Sequence, residues 1–185
     1  MHFGQDGNVT LDSIQERYER ELANDLGNLV SRTTAMIARY RDGKLTKTES
    51  APPWDVDALR AELVTWLDDF DITNALESIW AIVRRLNQYV EESAPWQLAK
   101  DDARAGELDE VLYNLADGIT SVAVALSPYL PESAPTILAA LGQPSDDLSL
   151  ERIRPKSAVD ADGIEPAAPL FPRIELPASS APSAP

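Results

Sequence analysis

The sequence predicts an all-α protein, an antiparallel helical bundle, and three observations support this prediction. Apolar residues recur at steps of three and four along four long stretches, the spacing of one buried helix face. The stretches are joined by short connections that contain helix-ending proline and glycine. Hydrophobic residues make up 44% of the chain but aromatic residues only 6%, so the core must be built mainly from Ala and Leu, which favour helices.

The first predicted helix begins after Thr10, a suitable N-cap, and continues to about Arg41. Gly43 then suits a left-handed stop. We expect this helix to bury one continuous stripe, formed by Leu11, Ile14, Tyr18, Leu22, Leu26, Leu29, Thr33, Met36/Ile37 and Tyr40.

The later helices are predicted from the same periodicity. They are expected at residues 55–69, from 71 to about 90, at about 107–127, and around 135–141 before Gly142. Pro95 suits the first position of a further short helix ending near Asp101, because a first-turn N–H would be unpaired anyway. Trp54, Trp66 and Trp80 are expected in the core or at its rim.

A change in composition divides the chain into two parts. Residues 1–142 form the predicted bundle, whereas residues 143–185 are rich in Pro, Ala, Ser and Asp. This tail has too few apolar residues to offset its ordering entropy, so we expect most of it to be flexible. The apolar peptide 169–175 is the exception, because it is able to dock on a surface.

The charge distribution restricts the class of partner. A net charge of −15 argues against general nucleic-acid binding, since affinity for phosphate comes from clustered Lys and Arg. Residues 26–50, however, carry five basic and two acidic side chains, a local balance of +3 (5 − 2). We therefore expect contact with RNA at one end only, and neither DNA nor a membrane as partner.

Several kinds of site are excluded by the residues present. The chain has no cysteine, and its single histidine, His2, is expected to belong to the chain edge, so no metal site is predicted. Neither a phosphate-binding glycine loop nor a Ser/His/Asp set is found, so no catalytic residue is predicted. The lack of a long apolar run or a leader pattern predicts a soluble, cytoplasmic chain.

Three residues are candidates for binding. Asn28 and Arg32 are four residues apart and therefore share a helix face, and Pro95 would hold Trp96 at the start of a helix. Arg32 donating to the O2/N3 side of a cytosine, with Asn28 accepting from its amino group and Trp96 as stacking platform, would discriminate against uracil. From spacing alone, a solvated Asn–Arg pair and a core Trp remain open alternatives.

Four segments occur in one order and cover about residues 3–175: FGQDG (3–7), DLGNLVSR (25–32), NQYVEESAPW (87–96) followed by LAK (98–100), and LFPRIE (170–175). In these segments the chain resembles the C-terminal, anticodon-binding part of bacterial methionyl-tRNA synthetases. The resemblance implies a helical bundle that binds the CAU anticodon loop of methionine tRNA. It also implies that Asn28, Arg32 and Trp96 match the family's anticodon-recognising Asn, Arg and Trp.

The same resemblance shows what this chain lacks. The family's catalytic half carries His-Ile-Gly-His and Lys-Met-Ser-Lys-Ser signatures and commonly a cysteine zinc knuckle, none of which occurs here. We therefore expect no enzyme activity and no cofactor for this chain on its own. ATP and methionine would belong to the catalytic domain of a parent methionine–tRNA ligase. That domain would also be a partner, against which the family's Leu-Phe-Pro-Arg-Ile peptide lies.

Two alternatives stay open. The first is the equivalent bundle of a leucine, isoleucine, valine or cysteine synthetase, against which the Ala-Pro-Trp and Phe-Pro-Arg-Ile segments argue. The second is a helical protein-interaction scaffold in which all four Trp are structural. The charge of −15 favours the scaffold, whereas the residue pattern opposes it.

Overall fold

The computed structural model of the protein describes residues 10–172, and these residues confirm the all-α prediction. No strand forms within that range beyond one isolated bridge between Leu45 and Ala161. The helices, in chain order, are α1 (Leu11–Arg17), a π-helical segment (Tyr18–Gly27), α2 (Asn28–Arg41), α3 (Val56–Asp68), α4 (Ile72–Ser93), α5 (Pro95–Leu98), α6 (Ala105–Leu126) and α7 (Ser133–Ala140). Short 3₁₀ turns lie at Asp102–Arg104 and Leu150–Arg152.

The ends of the first helical stretch agree with the prediction. Thr10 caps it by accepting a hydrogen bond from the Ser13 amide at 3.1 Å. Asp42 and Gly43 then end it in the left-handed region, with φ of 51° and 78°. Between these ends, ten residues are π-helical rather than α-helical, a difference that apolar spacing does not reveal.

The predicted buried stripe is wrong over its first two turns. Leu11 is 80% exposed and Ile14 52% exposed, whereas Leu26 and Leu29 are fully buried. The reason is that α1 packs mainly against the π-helical segment that continues it, and within residues 10–172 no further layer covers its apolar side. Ile14 instead lines an open apolar groove together with Trp80 and Tyr129.

Helix α6 is the centre of the bundle. Every residue from Val111 to Leu126 is buried, so this helix is enclosed on all sides rather than along one stripe. Helices α2, α4, α5 and α7 all pack against it. Trp80 is buried and Trp54 and Trp66 are half-buried against the core, which confirms the prediction for these three residues.

The predicted tail begins with a segment that packs on the bundle. Residues 143–172, expected to be mostly flexible, pack on the bundle and bury Ile153, Ala158 and Ile164. Composition is a poor guide here because the segment needs no core of its own: its few apolar residues add to one that already exists. Residues 173–185, and with them the end of the apolar peptide 169–175, lie outside the described residues, as do His2 and 3–7.

Buried polar groups of α6 fix this segment in place. The Asp117 carboxylate accepts hydrogen bonds from the amides of Lys156 at 2.9 Å and Ala158 at 2.8 Å, and from the Ser157 hydroxyl at 3.2 Å. The Tyr113 hydroxyl donates to the Ala158 carbonyl at 2.9 Å. The segment therefore pairs groups that would otherwise be buried without partners.

Within residues 10–172, none of the helices combines the length and the apolar character needed to cross a membrane.

At Gly118 helix α4 approaches helix α6 closely. A Cβ atom at this position would lie 2.5 Å from Leu86 Cδ2 and 2.9 Å from Trp54 Cζ2, and the Leu86 side chain is fully buried. We expect Gly118→Ala to lower the free energy of unfolding by about 1–3 kcal/mol through overpacking, despite alanine's better helix propensity. Urea denaturation measures the change.

Gly106 is the matched control, because it lies on the same helix and a Cβ there would meet no atom within 4 Å. Gly106→Ala should leave stability unchanged or raise it by up to about 1 kcal/mol. Equal effects of the two substitutions would contradict the proposed close approach.

The Asp117 contacts give a second stability prediction. In Asp117→Asn an amide NH₂ replaces one acceptor oxygen and faces backbone donors, so we expect a loss of about 1–3 kcal/mol in the free energy of unfolding. Limited proteolysis should also cut residues 143–172 sooner. Asp146→Asn, at an exposed position of the same segment, should change neither measurement; loss of protection in both variants would indicate a general charge effect.

Candidate nucleic-acid interface

Helix α2 presents two of the predicted binding residues to solvent. Asn28 is its first residue and Arg32 lies one turn further, and both side chains are exposed while Leu29 and Val30 between them are buried. At about 100° per residue, four residues rotate by only about 40° net, so the two side chains share one face. The structure thus agrees with the expected placement of this pair.

Trp96 is held by a short rigid element. Helix α5 begins with Pro95 at its first position, after Ala94 in the left-handed region with φ of 43°. Pro95 and Leu98 are buried and anchor the turn, whereas Trp96 is half-buried. Because the backbone is anchored on both sides of Trp96, the indole is held at the surface.

Arg32 and Trp96 meet at one open cavity of about 240 Å³. Arg39 and Tyr40 of α2 complete its polar and aromatic wall. The structure therefore brings together two residues that are 64 positions apart (96 − 32) in the sequence. Such a cavity has the two features that recognition of an unpaired base uses, an aromatic face and a planar donor beside it.

Asn28 lies at a neighbouring cavity, of about 570 Å³. Asn24 and Ser31 line it from one side, and residues 169–172 line it from the other. Asn28 is thus joined to Arg32 by the helix face they share, but it does not line the same cavity as Trp96. The predicted three residues form a row along one surface rather than a single notch.

The peptide that closes the larger cavity is docked on the π-helical segment. The Tyr18 hydroxyl donates to the Pro172 carbonyl at 2.9 Å, and the Phe171 ring meets the Tyr18 ring edge-on with centroids 6.4 Å apart. Gly27 allows this approach, since a Cβ there would be 3.3 Å from Phe171 Cδ2. The described part of the apolar peptide therefore packs against this chain itself.

Two residues of α4, Asn87 and Glu91, position the site. Both belong to the segment NQYVEESAPW, in which the sequence alone indicated no role for them. Asn87 donates from its side chain to the Asp25 carbonyl at 3.1 Å and to the Val83 carbonyl at 3.0 Å, which joins α4 to the π-helical segment. Glu91, one turn further, accepts a hydrogen bond from the Arg32 guanidinium at 2.6 Å. Their spacing of four places both on one flank of the Leu and Val stripe of α4, but spacing does not show what they contact.

The electrostatics of the site follow from this layout. The Arg32–Glu91 pair is open to solvent, with 42% and 62% of the two side chains exposed. Partial burial raises the pKa of the Asp25 carboxyl above its usual range, and the nearby Arg20 charge opposes that rise. Among residues 10–172, no group of three or more His, Cys, Asp or Glu side chains is placed to hold a metal ion.

Comparison with known proteins places this geometry in a family. Residues 41–172 match the family model described as the anticodon binding domain of methionyl tRNA ligase. The chain belongs to this family. The match includes Trp96 and begins after Asn28 and Arg32, which lie in the longer region shared with individual relatives.

Those relatives are longer proteins. The chain is 35% identical over 180 residues to methionine–tRNA ligase of Caldanaerobacter subterraneus. The aligned region covers 94% of this chain and 28% of the relative. The chain is also 35% identical over 185 residues to the Fusobacterium nucleatum enzyme, with 95% and 29% covered. The chain therefore spans under a third of the length of these relatives.

Solved structures agree with the family assignment. The free form of Mycobacterium tuberculosis methionyl-tRNA synthetase superposes with a TM-score of 0.84 and 30% identity, over 96% of this chain and 37% of that chain. The same enzyme bound by methionyl-adenylate gives a TM-score of 0.82 and 29% identity, over 93% and 35%. The bundle described above is thus the fold of that part of the enzyme.

The exposure of the Arg32–Glu91 pair gives a prediction for this site. Exposed ion pairs contribute at most about 1 kcal/mol, so Glu91→Gln should change the free energy of unfolding by no more than that. Asn87→Ala is the comparison, because it removes two hydrogen bonds to backbone carbonyls and should cost about 1 kcal/mol or more. A loss above about 2 kcal/mol for Glu91→Gln would mean that the pair is structural rather than free to exchange partners.

Proposed function

We propose that the chain binds the CAU anticodon loop of methionine tRNA, and that Asn28, Arg32 and Trp96 contact its bases. The observation that carries this proposal is the open cavity shared by Arg32 and Trp96. An aromatic face contributes roughly 1–3 kcal/mol for each stacked base, and the cavity leaves the indole accessible from solvent. The family assignment supports RNA as the partner.

The base contacts follow from hydrogen-bonding chemistry. With cytosine stacked on Trp96, Arg32 donates to its O2/N3 side. The Asn28 amide oxygen, one turn along α2 at the neighbouring cavity, reaches the opposite edge of the base and accepts from its amino group. Uracil presents an acceptor where cytosine has that amino group. The uracil O4 and the Asn28 amide oxygen, both acceptors, would then face one another, at a cost of about 1–3 kcal/mol.

The wider role is proposed on the same basis. We assign ATP and methionine, and the ligation reaction, to a catalytic domain in the parent protein, because the chain spans under a third of its ligase relatives. On its own the chain would then bind tRNA without charging it and need no cofactor. Its partners would be the anticodon loop and that catalytic domain, in the cytoplasm where translation takes place.

Binding to two stem-loop RNAs tests the proposal. One carries the CAU anticodon and the other UAU, and a filter-binding assay at fixed salt should show tighter binding of CAU. Trp96→Ala should weaken CAU binding about tenfold or more and abolish the preference, because the stacking platform is lost. Circular dichroism should show an intact bundle, since Trp96 is already half-exposed.

Phe70→Ala is the matched control, as Phe70 is an aromatic residue that is 73% exposed and lines none of the cavities described above. It should bind both RNAs like the parent chain. The alternative favoured by the charge of −15, a protein-interaction scaffold, predicts that neither RNA binds. Normal RNA binding by Trp96→Ala would contradict the stacking role.

A further inference from the structure

We propose that Arg39 binds a phosphate of the RNA backbone beside the base stacked on Trp96. This inference rests on the proposed function, because it assumes that the cavity holds RNA. Arg39 lines the same cavity of about 240 Å³ as Arg32 and Trp96. It lies seven residues beyond Arg32 on α2, which corresponds to about 10 Å along the axis and a net rotation of only about 20°.

The charge environment distinguishes Arg39 from the arginines around it. Most arginines of the described chain have a carboxylate within 4.0 Å, as Arg32 has in Glu91 and Arg41 has in Asp109. Arg39 is exposed, and none of the described acidic side chains lies within that distance of it. In a chain of net charge −15 it therefore keeps an unneutralised guanidinium at this cavity.

The guanidinium is also held in place before a ligand arrives. Its Cζ atom lies 5.7 Å from the centroid of the Tyr40 ring, within the range of a cation–π contact. Tyr40 itself is half-buried against the core and so provides a fixed surface. An arginine restrained in this way loses less side-chain entropy on binding than a free one.

The ligand class follows from the geometry of the donors. A planar guanidinium pairs with two oxygens of a phosphate at once, which makes arginine a common phosphate-binding residue. Base-edge contacts are already assigned to Arg32 and Asn28 in the proposed function. Phosphate contacts fix the position of the chain but carry no sequence information, so Arg39 should contribute affinity without contributing preference.

A salt series with the CAU and UAU stem-loops tests this role. Arg39→Gln should weaken binding of both RNAs by the same factor, on the order of fivefold. It should also reduce the slope of log affinity against log salt by about 0.7, the loss of one phosphate contact. Arg39→Lys should keep the slope, because the charge is retained.

Arg154→Gln is the matched control, because Arg154 is an exposed arginine whose guanidinium also has no carboxylate within 4.0 Å among the described residues, and it lines none of these cavities. It should leave affinity and slope unchanged. Equal affinities of Arg39→Gln and the parent chain would overturn the inference, as would a loss of CAU preference, which would make Arg39 a base contact. If the parent chain bound neither RNA, the proposed function itself would fail.

If Arg39→Gln lowers the midpoint of thermal unfolding, its weaker RNA binding has two explanations, partial unfolding and the lost phosphate contact. Arg39→Lys then distinguishes between them. A retained salt slope in the lysine variant supports the phosphate contact, and a lost slope overturns it.

Discussion

The burial of helix α6 on all sides is the constraint on which the rest of the structure depends. A helix enclosed from Val111 to Leu126 has to be covered by other elements around its whole circumference, and α2, α4, α5 and α7 cover most of it. Its polar residues then need partners inside the protein. The segment 143–172 supplies them for Tyr113 and for Asp117, whose carboxylate accepts from two amides and a hydroxyl.

This arrangement also determines where the binding surface lies. Because α2 and α5 both pack on α6, the exposed side of α2 and the start of α5 are brought next to each other. Asn87 of α4 ties the π-helical segment to the bundle at the Asp25 carbonyl, just before α2 begins. A π-helix leaves the chain with a rotation different from that of an α-helix, so it sets the direction in which Asn28 and Arg32 point.

The sequence was sufficient for some of these features and insufficient for others, and the difference has physical causes. Helix periodicity and caps are local, so Thr10, Gly43 and Pro95 marked their helix ends correctly. Burial is not local: Leu11 has the spacing of a core residue, but none of the described elements covers it. Composition likewise predicted little structure after residue 142, because docking onto Asp117 depends on a partner far away in the chain.

The candidate site shows the same division. Spacing was enough to place Asn28 and Arg32 on one face, since four residues along a helix determine it. That Trp96 lies beside Arg32 depended on the packing of α5, for which only the family resemblance gave an indication. The Arg32–Glu91 pair could not be predicted from spacing, because it joins two different helices, and neither could the separate cavity at Asn28.

The net charge of −15 is compatible with RNA binding once the pairing of the basic residues is considered. An acidic surface repels phosphates in general, so affinity has to come from a few positions where positive charge is available. Glu91 neutralises Arg32 in the free chain. Because this ion pair is exposed, Arg32 loses little free energy when it gives up its contact with the Glu91 carboxylate for a contact with a base edge. Arg39 needs no such exchange. Repulsion elsewhere and attraction only at this cavity would make binding depend on the loop that fits it, which is how an acidic chain can select one RNA among many.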